Sequence, residues 1–454
     1  MAGETAVVIG GVEAQFRESP HEVGTEAWRT DLSDVILPLP VYDTSDSETE
    51  GRGVNVSDVV LPVPVYDSSD DEAGAPVCSR RSPRPPQKKL QPWEEIPPQR
   101  VLELMRANEK HGHRNRELSD KPRPEPAAGV APVRHLDAAT AARELDRIVG
   151  GGGDGASVGE PVIIDGLADG WRAQERWCSA EEFVKHYGDM PLKVHELVSV
   201  SGMGKGTELW LPARYYVEYA QNATTDAPFY VFQKKFIEGQ HDELFKDYER
   251  PALFSDDLWD LTPRLRAGFA QNRFFCLGGE RTGSTLHVDP HFTGAWNTLL
   301  CGEKRWVLFP PDTAPDEIGV PTDLRDRLRT PCAYWWHDWY PRLAAKGGDG
   351  ERLGLREVVQ RAGETIYVPP GWWHAVLNHG WTIAVTENQL SPQTLPRTWP
   401  QLLPDGDRSA RLARALRRLR PELLPAIGAE ANEDDGGSTT GSDRDADEFE
   451  FRMW

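Results

Sequence analysis

The sequence predicts a mainly β core over residues 271–392, with helices on either side. From Phe274 to Asn388, short apolar runs alternate with Gly- and Pro-containing turns, and no long helical period is visible. Strict alternation, as in Thr382–Thr386, places every second side chain on one face of a strand. Two predicted strands that carry polar residues lie about 85 residues apart in the sequence. Such strands could face each other across the interior of a small barrel.

Helices are predicted before and after this core. Asp137–Val149 has the spacing of an amphipathic helix and ends in glycines, and the apolar run Pro161–Asp165 reads as a buried strand. Ser179, with Glu182 three residues later, is the capping box that opens a helix. After Pro400 the pattern is helical again. The folded part therefore divides into an α/β region (132–270), the β core (271–392) and a C-terminal helical segment (393–428).

The two ends of the chain, residues 1–125 and 429–454, have the composition of disordered segments. The first contains a duplication, residues 32–48 and 56–72, in which an apolar run ending in Pro-Val-Tyr-Asp precedes serines and acidic residues. Such a segment can add a strand to a partner's sheet. It resembles motifs that bind small ubiquitin-like modifiers. Tandem duplication without function is the alternative.

Charge and composition restrict the partners. A formal net charge of −21 disfavours direct binding to nucleic acid and favours basic partners such as Lys/Arg-rich protein tails. Acidic tails could also dominate this total and say nothing about the active site. Neither a run of about 20 apolar residues nor a secretory signal is visible, so we expect an intracellular protein without a membrane span. The basic run Arg80–Lys89 favours the nucleus over the cytoplasm.

The candidate chemistry centres on His287 and Asp289. In a strand, residues i and i+2 project from one face, so this imidazole and carboxylate can converge on one metal. His374 follows a Pro-Pro-Gly turn and opens another strand. Two histidines and one carboxylate leave three positions open on an octahedral ion, as in non-haem Fe(II) oxygenases. Zinc is the alternative ion. His291 and His379 flank these ligands and are predicted not to bind the metal.

A second pair of residues fits an anionic co-substrate. Lys304 lies in a strand after a Gly302 turn, and Thr386 ends an alternating strand. An ammonium beside a hydroxyl can bind the distal carboxylate of 2-oxoglutarate, whose keto acid would chelate the iron. Singly, Lys304 could be a solvated strand-end charge and Thr386 a strand former. Together with three metal ligands, they point to a co-substrate.

Four segments resemble the JmjC (jumonji C) family of Fe(II)/2-oxoglutarate-dependent oxygenases. They are Arg281–Pro290, Ala295–Asn297, Gly302–Trp306 and Gly371–Asn378. The sequence is most similar to the bifunctional arginine demethylase and lysyl hydroxylase branch of that family. The resemblance implies a double-stranded β-helix (cupin, jelly-roll) core, Fe(II) as cofactor, and 2-oxoglutarate and dioxygen as co-substrates.

The resemblance also implies roles for individual residues, in two sets. The iron ligands, which are the catalytic residues, would be His287, Asp289 and His374. The residues near 2-oxoglutarate would be Ser284, Asn297, Lys304, Thr386 and one tyrosine of the pair Tyr215 and Tyr216, for which we prefer Tyr216.

The implied reaction is oxidation of a protein side chain. If the side chain of lysine is hydroxylated, the hydroxylysine is the final product. If an N-methyl group on arginine or lysine is hydroxylated, including in histones, the product releases formaldehyde and the residue is demethylated. A tRNA-base hydroxylase and a non-catalytic cupin that only binds are the alternatives. Substrate choice is expected in the loops Ser199–Leu211 and Asp312–Gly350, and the helical segment after Pro400 is a candidate surface for a homodimer.

Overall fold

A computed structural model describes a defined part of the chain: residues 6–9, 12–15, 99, 102, 118, 130–150, 158–195, 208–233, 241–263, 265, 273–321 and 331–428. The duplicated motif, the basic run Arg80–Lys89 and the acidic segment 429–454 lie outside these residues, as does nearly all of the segment predicted to be disordered at the N-terminus. Within that segment, β1 (Ala6–Ile9) and β2 (Val12–Gln15) pair as a separate antiparallel sheet.

The region before the core mixes short strands and helices. In chain order its elements are β3 (Ala131–Pro132), β4 (Arg134–Asp137), α1 (Ala138–Arg143), α2 (Leu145–Val149), β5 (Val162–Asp165), α3 (Ala173–Arg176), α4 (Ala180–Tyr187), β6 (Pro191–His195), β7 (Glu208–Pro212), α5 (Ala213–Asn222) and β8 (Val231–Gln233). Ser179 caps α4 as predicted, because its side chain accepts a hydrogen bond from the backbone N–H of Glu182, while the Glu182 carboxylate accepts from Lys185.

The core and the C-terminal segment follow. Their elements are β9 (Arg273–Gly278), β10 (Gly283–His287), β11 (Gly294–Phe309), α6 (Cys332–Asp338), α7 (Tyr340–Ala344), α8 (Asp349–Arg352), β12 (Arg356–Arg361), β13 (Thr365–Val368), β14 (Trp373–Gln389), α9 (Leu395–Leu402) and α10 (Gly406–Leu419). Three short helices therefore occupy the predicted loop after Asp312. The sequence pattern missed them because each is only one or two turns long.

Ten strands form one mixed sheet, which confirms the mainly β prediction. Its main path runs β4-β5-β13-β11-β14-β9-β8, while β10 pairs with β14 and β12 pairs with β11 and β3. Strands from both sides of residue 270 join this sheet, since β5 pairs with β13 and β8 with β9. The division at residue 270 stays a prediction.

The two long strands β11 and β14 connect the two halves of the sheet. They pair antiparallel along their whole length, and bulges interrupt the register around Cys301. On one side of the bulges, β11 pairs with β12 and β14 with β10; on the other side, β13 and β9 are the neighbours. Each long strand thus passes from one half of the sheet into the other, as strands do at the corners of jelly-roll folds.

Gly302 makes this bend possible. Its φ of +83° is open to glycine at little cost, and a Cβ there would lie 2.1 Å from the carbonyl oxygen of Trp381. The apolar interior fills the space between the two halves, because Trp306 and Val376 from one half form a cluster with Ile366 and Ile163 from the other. Lys304 follows the bend directly, so the turn fixes where its side chain enters the fold.

The C-terminal helices pack against the short 3-10 helix Leu258–Leu261 through a second apolar cluster that includes Trp259, Leu390 and Leu412. Asp257 joins these parts, since its Oδ1 accepts hydrogen bonds from the backbone N–H groups of Trp259 and Leu390. Within the residues that the structure describes, no helix combines the length and apolar character that crossing a bilayer requires.

Asp257 predicts a pH-dependent stability. Burial raises the pKa of this carboxyl to about 7, and Arg250 opposes the shift. Because the pKa of Asp257 is higher in the folded state than in the unfolded state, the folded protein keeps this proton up to a higher pH. The stabilisation from this group is therefore present at low pH and lost as pH rises from about 4 to about 7, at up to about 1.4 kcal/mol per pH unit.

We expect Asp257→Asn to gain stability relative to wild type as pH rises from 5 to 8. Urea unfolding at one-unit pH intervals measures the difference in unfolding free energy. Asp256→Asn, at the neighbouring exposed carboxyl, is the matched control. A difference between Asp257→Asn and wild type that stays constant with pH would contradict the expected titration.

Candidate metal and co-substrate site

Three side chains converge where β10 meets β14. His287 ends β10 and pairs in register with His374 on β14. Asp289 lies just beyond the strand, and its extended backbone (φ −59°, ψ 146°) keeps it on the side of His287. The candidate ligand atoms of the three residues all lie within 4.8 Å of one another. The structure thus brings together the three metal ligands expected from the sequence.

Backbone carbonyls orient both imidazoles. Nδ1 of His287 lies 2.7 Å from the carbonyl oxygen of Thr285, and Nδ1 of His374 lies 3.0 Å from that of Trp372. A carbonyl can only accept, so each Nδ1 carries the hydrogen and each Nε2 carries the lone pair that a metal needs. Such outer contacts set the tautomer and ring angle of metal-bound histidines.

The electrostatics of the three residues fit a bound cation. Oδ2 of Asp289 is buried, lies 4.0 Å from Nε2 of His374 and has no hydrogen-bond partner among the described residues. A buried carboxylate oxygen in that position is costly unless a cation accompanies it. Burial, together with neighbouring His374, lowers the pKa of His287 well below its usual range, so this ring is neutral and able to coordinate.

A second group of potential ligands consists of His135, Asp165 and Glu364. They lie at the outer strands β4 and β5 and just before β13, and both His135 and Asp165 are exposed. Exposed carboxylates commonly occur without an ion and are stabilised by water. We therefore take the buried group on β10 and β14 as the metal centre.

Lys304 is a buried cation on β11, where it pairs opposite Asn378 of β14, the strand that also carries His374. It is 2% exposed, and within the described residues its Nζ makes no ion pair with a carboxylate. It donates to the hydroxyl of Tyr230 over 3.4 Å. Burial lowers the pKa of Lys304, an effect that neighbouring Cys276 opposes. A buried ammonium without a protein counter-ion is expensive, so this position is suited to an anionic ligand.

The other predicted co-substrate residues lie on the same strands. Thr386 and Asn297 pair opposite each other on β14 and β11, and both are buried. The Thr386 hydroxyl donates to the carbonyl of Trp296 over 2.7 Å, so it would have to rotate to donate to a carboxylate. Oδ1 of Asn297 is buried without a hydrogen-bond partner among the described residues. Ser284, on β10, is half-buried opposite Val376.

The structure places Tyr230, rather than Tyr216, against Lys304. Tyr216 lies on α5, and its hydroxyl is within hydrogen-bond distance of the carbonyls of Phe229 and Leu277. Tyr230 immediately precedes β8 and belongs to the same buried cluster as Cys276. Burial raises the pKa of Tyr230 well above its usual value, so its hydroxyl keeps its hydrogen. Tyr230 is therefore a candidate for the tyrosine of the co-substrate site.

Sequence reasoning missed Tyr230 because nothing local distinguishes it. It stands in an aromatic run, Phe229 to Phe232, that reads as an ordinary strand. Asn378, the last residue of a family-like segment, pairs opposite Lys304, and its Nδ2 donates to Oγ1 of Thr282. The ring of Trp306 stacks on that of His374 with a centroid distance of 6.0 Å.

Comparison with known proteins agrees with this geometry. The family model described as "JmjC domain, hydroxylase" matches residues 274–389, which contain all three candidate metal ligands and Lys304. This chain has a JmjC domain. Its strands β9 to β14 fall within the matched residues, whereas Tyr230 and the helices α9 and α10 lie outside them.

Several curated proteins are similar to this chain. The bifunctional arginine demethylase and lysyl-hydroxylase psr-1 of Caenorhabditis elegans is 34% identical over 59% of this chain and 65% of its own length. The lysine-specific demethylase JMJ21 of Arabidopsis thaliana is 36% identical over 52% of this chain and 23% of its own length. The 2-oxoglutarate and iron-dependent oxygenase JMJD4 of Homo sapiens is 25% identical over 52% and 57%. The chain thus spans 65% or less of each relative.

Proposed function

We propose that this protein is an Fe(II)- and 2-oxoglutarate-dependent dioxygenase that oxidises protein side chains. One observation carries the proposal: a buried lysine with no carboxylate partner among the described residues pairs with β14, the strand that carries His374 of the largely buried His-Asp-His centre. A metal alone would need only the three ligands. The additional cation at Lys304 accounts for a dicarboxylate co-substrate, and 2-oxoglutarate can bind the metal at one end and this ammonium at the other.

The residues divide the work between them. His287, Asp289 and His374 would hold Fe(II) on one face, while Lys304 and Tyr230 would bind the distal carboxylate of the co-substrate. Bound Fe(II) would supply dioxygen chemistry in which 2-oxoglutarate becomes succinate and carbon dioxide and one oxygen atom enters a substrate C–H bond. The ring of Trp306, whose centroid lies 6.0 Å from that of His374, would help to keep water away from this ligand.

The substrate class follows from the relatives and from charge. Relatives that match about half of this chain or more are named for arginine demethylation, lysine demethylation or lysyl hydroxylation. The formal net charge of −21 favours encounter with basic protein segments such as histone tails. We infer that the substrate is a lysine or a methylated arginine or lysine in such a segment. Hydroxylation and demethylation share one active site and differ only in which carbon is presented.

We expect the purified protein with Fe(II), ascorbate and 2-oxoglutarate to convert basic peptides and to release succinate. Mass spectrometry separates the reactions, since gain of one oxygen indicates hydroxylation and loss of one methylene indicates demethylation. A parallel incubation with tRNA tests the alternative substrate class. His374→Ala is the inactive control. Absence of succinate and of both mass changes, with binding of the peptides intact, would identify a non-catalytic cupin and refute the proposal.

Three further proposals concern binding partners and the location of the protein in the cell. The duplicated motif at residues 32–48 and 56–72 would bind a small ubiquitin-like modifier as an added strand. The helical segment 393–428 would contribute to a homodimer. The basic run at residues 80–89 would direct the protein to the nucleus. Each rests on sequence character, and deletion of the corresponding segment followed by binding, sedimentation or imaging measurements tests it.

A further inference from the structure

The backbone that follows Asp289 has an unusual conformation. His291 and Phe292 have φ values of +55° and +56°, and only one other non-glycine residue in the described part of the chain, Arg281, has a positive φ. This left-handed region is unfavourable for residues with a Cβ, and two such residues in succession persist only where surrounding contacts hold them. The segment Pro290–Phe292, which we call the ligand loop, is therefore held by other parts of the protein.

The C-terminal helices supply contacts that hold it. Nη1 of Arg408, on α10, lies 2.5 Å from Nε2 of His291, and the guanidinium is itself fixed by Asp405 at 3.4 Å. From α9, the hydroxyl of Thr398 donates to the carbonyl of Phe292 over 2.9 Å. The Arg408 side chain is only 12% exposed, so this contact forms in a largely dry setting. Both strained residues of the ligand loop thus have a partner on a C-terminal helix.

The ligand loop touches both halves of the metal centre. The backbone N–H of Phe292 donates to the carbonyl of Asp289 over 3.2 Å. The ring of Phe292 packs on Gly371, where an added Cβ would lie 2.8 Å from the ring, and this glycine belongs to the turn that leads to His374. Movement of the ligand loop would therefore displace a carboxylate ligand and the turn that precedes a histidine ligand together.

We propose that Arg408, assisted by Thr398, is a positioning residue for the metal centre, and that the C-terminal helices are thereby part of the site. Both residues lie beyond residue 389, where the match to the JmjC family model ends. The inference rests on the proposed function only in requiring that His287, Asp289 and His374 bind a divalent ion. Arg408 acts through His291, and Asp289 is displaced when that contact is lost.

The test measures metal affinity instead of turnover. Co(II), titrated into the purified full chain without co-substrate, reports on ligand geometry through its visible absorption. We expect Arg408→Ala to weaken Co(II) binding by about 10-fold or more, within the range found for residues that orient metal ligands. Arg414→Ala, at an exposed arginine of the same helix, should bind as wild type does. Arg408→Lys should recover part of the loss.

A double-mutant cycle separates positioning from general packing of α10. If Arg408 acts through His291, Arg408→Ala should have little further effect on Co(II) affinity once His291→Ala is present, because the coupled contact is already absent. Additive losses would indicate packing and overturn the inference. Should Arg408→Ala fail to fold, Thr398→Val removes the other contact at nearly constant volume and is expected to weaken binding in the same direction.

The outcomes distinguish this inference from the proposed function. Wild type that binds Co(II), with Arg408→Ala and Thr398→Val binding equally tightly, would overturn the positioning role and leave the metal centre standing. Wild type that binds no Co(II), or binds it equally well as Asp289→Ala, would overturn both. Weaker binding in Arg408→Ala, a wild-type affinity in Arg414→Ala and non-additivity with His291→Ala would establish the role.

Discussion

Replacing Lys304 with methionine will raise the KM for 2-oxoglutarate at least about 30-fold while making the protein without co-substrate more stable. The loss follows from removing one partner of a buried charge pair, which costs about 2–5 kcal/mol. The gain, on the order of 1–2 kcal/mol, follows because Lys304 is buried without a carboxylate partner among the described residues, and a methionine of similar length needs no hydration.

Initial rates of succinate formation measure the KM, and thermal unfolding with and without 2-oxoglutarate, in the presence of Mn(II), measures the stability and the effect of binding. Co-substrate should stabilise the wild type through binding linkage and leave Lys304→Met almost unchanged. Tyr230→Phe retains the lysine and removes one hydroxyl, so its loss of affinity should be smaller. A Lys304→Met protein that is still stabilised by 2-oxoglutarate as strongly as the wild type would show that the distal carboxylate binds elsewhere.

Replacing Asp289 with alanine will lower succinate formation at least about 100-fold, since loss of a metal ligand should exceed the 10- to 100-fold cost of losing an outer contact. The protein without metal should keep its stability, because the substitution removes a buried carboxylate oxygen that has no hydrogen-bond partner among the described residues. The stabilisation that Mn(II) gives to the wild type should disappear.

His379→Ala is the matched control for this substitution. His379 lies on β14, five residues from His374 and hence on the other face of the strand, where its Nδ1 is 3.7 Å from Glu280. We expect its succinate formation to remain within about twofold of wild type. If Asp289→Ala retained Mn(II)-dependent stabilisation, or if His379→Ala lost it, the assignment of the ligands would be wrong.

The fold was predictable where local pattern and tertiary structure agree. Alternation in Thr382–Thr386 and the capping box at Ser179 are local signals, and both elements form as expected. The helices α6, α7 and α8 were not predictable, since short helices depend on packing rather than on a repeated apolar period. That β11 and β14 each continue through a bend as one long strand also depends on distant partners, which no local pattern reveals.

The candidate site shows the same division. Short sequence motifs with residue types typical of metal ligands contain His287, Asp289 and His374. The structure brings these three residues together. The local sequence around Tyr230 and Arg408 indicates no functional role for either residue. One stands in an ordinary aromatic run and the other among six arginines in residues 408–420, and only the folded chain shows which side chain each one contacts. The candidate metal ligands were thus predictable from the sequence, whereas the residues proposed to orient the site were not.

The pairing of β10 and β14 also fixes when the metal centre can first exist. Asp289 and His374 are 85 positions apart in the sequence. At synthesis rates of about 5–20 residues per second, His374 leaves the ribosome roughly 4–17 s after Asp289. During this interval the nascent chain has only two of the three candidate ligands, which bind a divalent ion weakly. On the proposed function, selective loading with iron waits until translation has passed β14, and a chain stalled earlier has an incomplete metal centre.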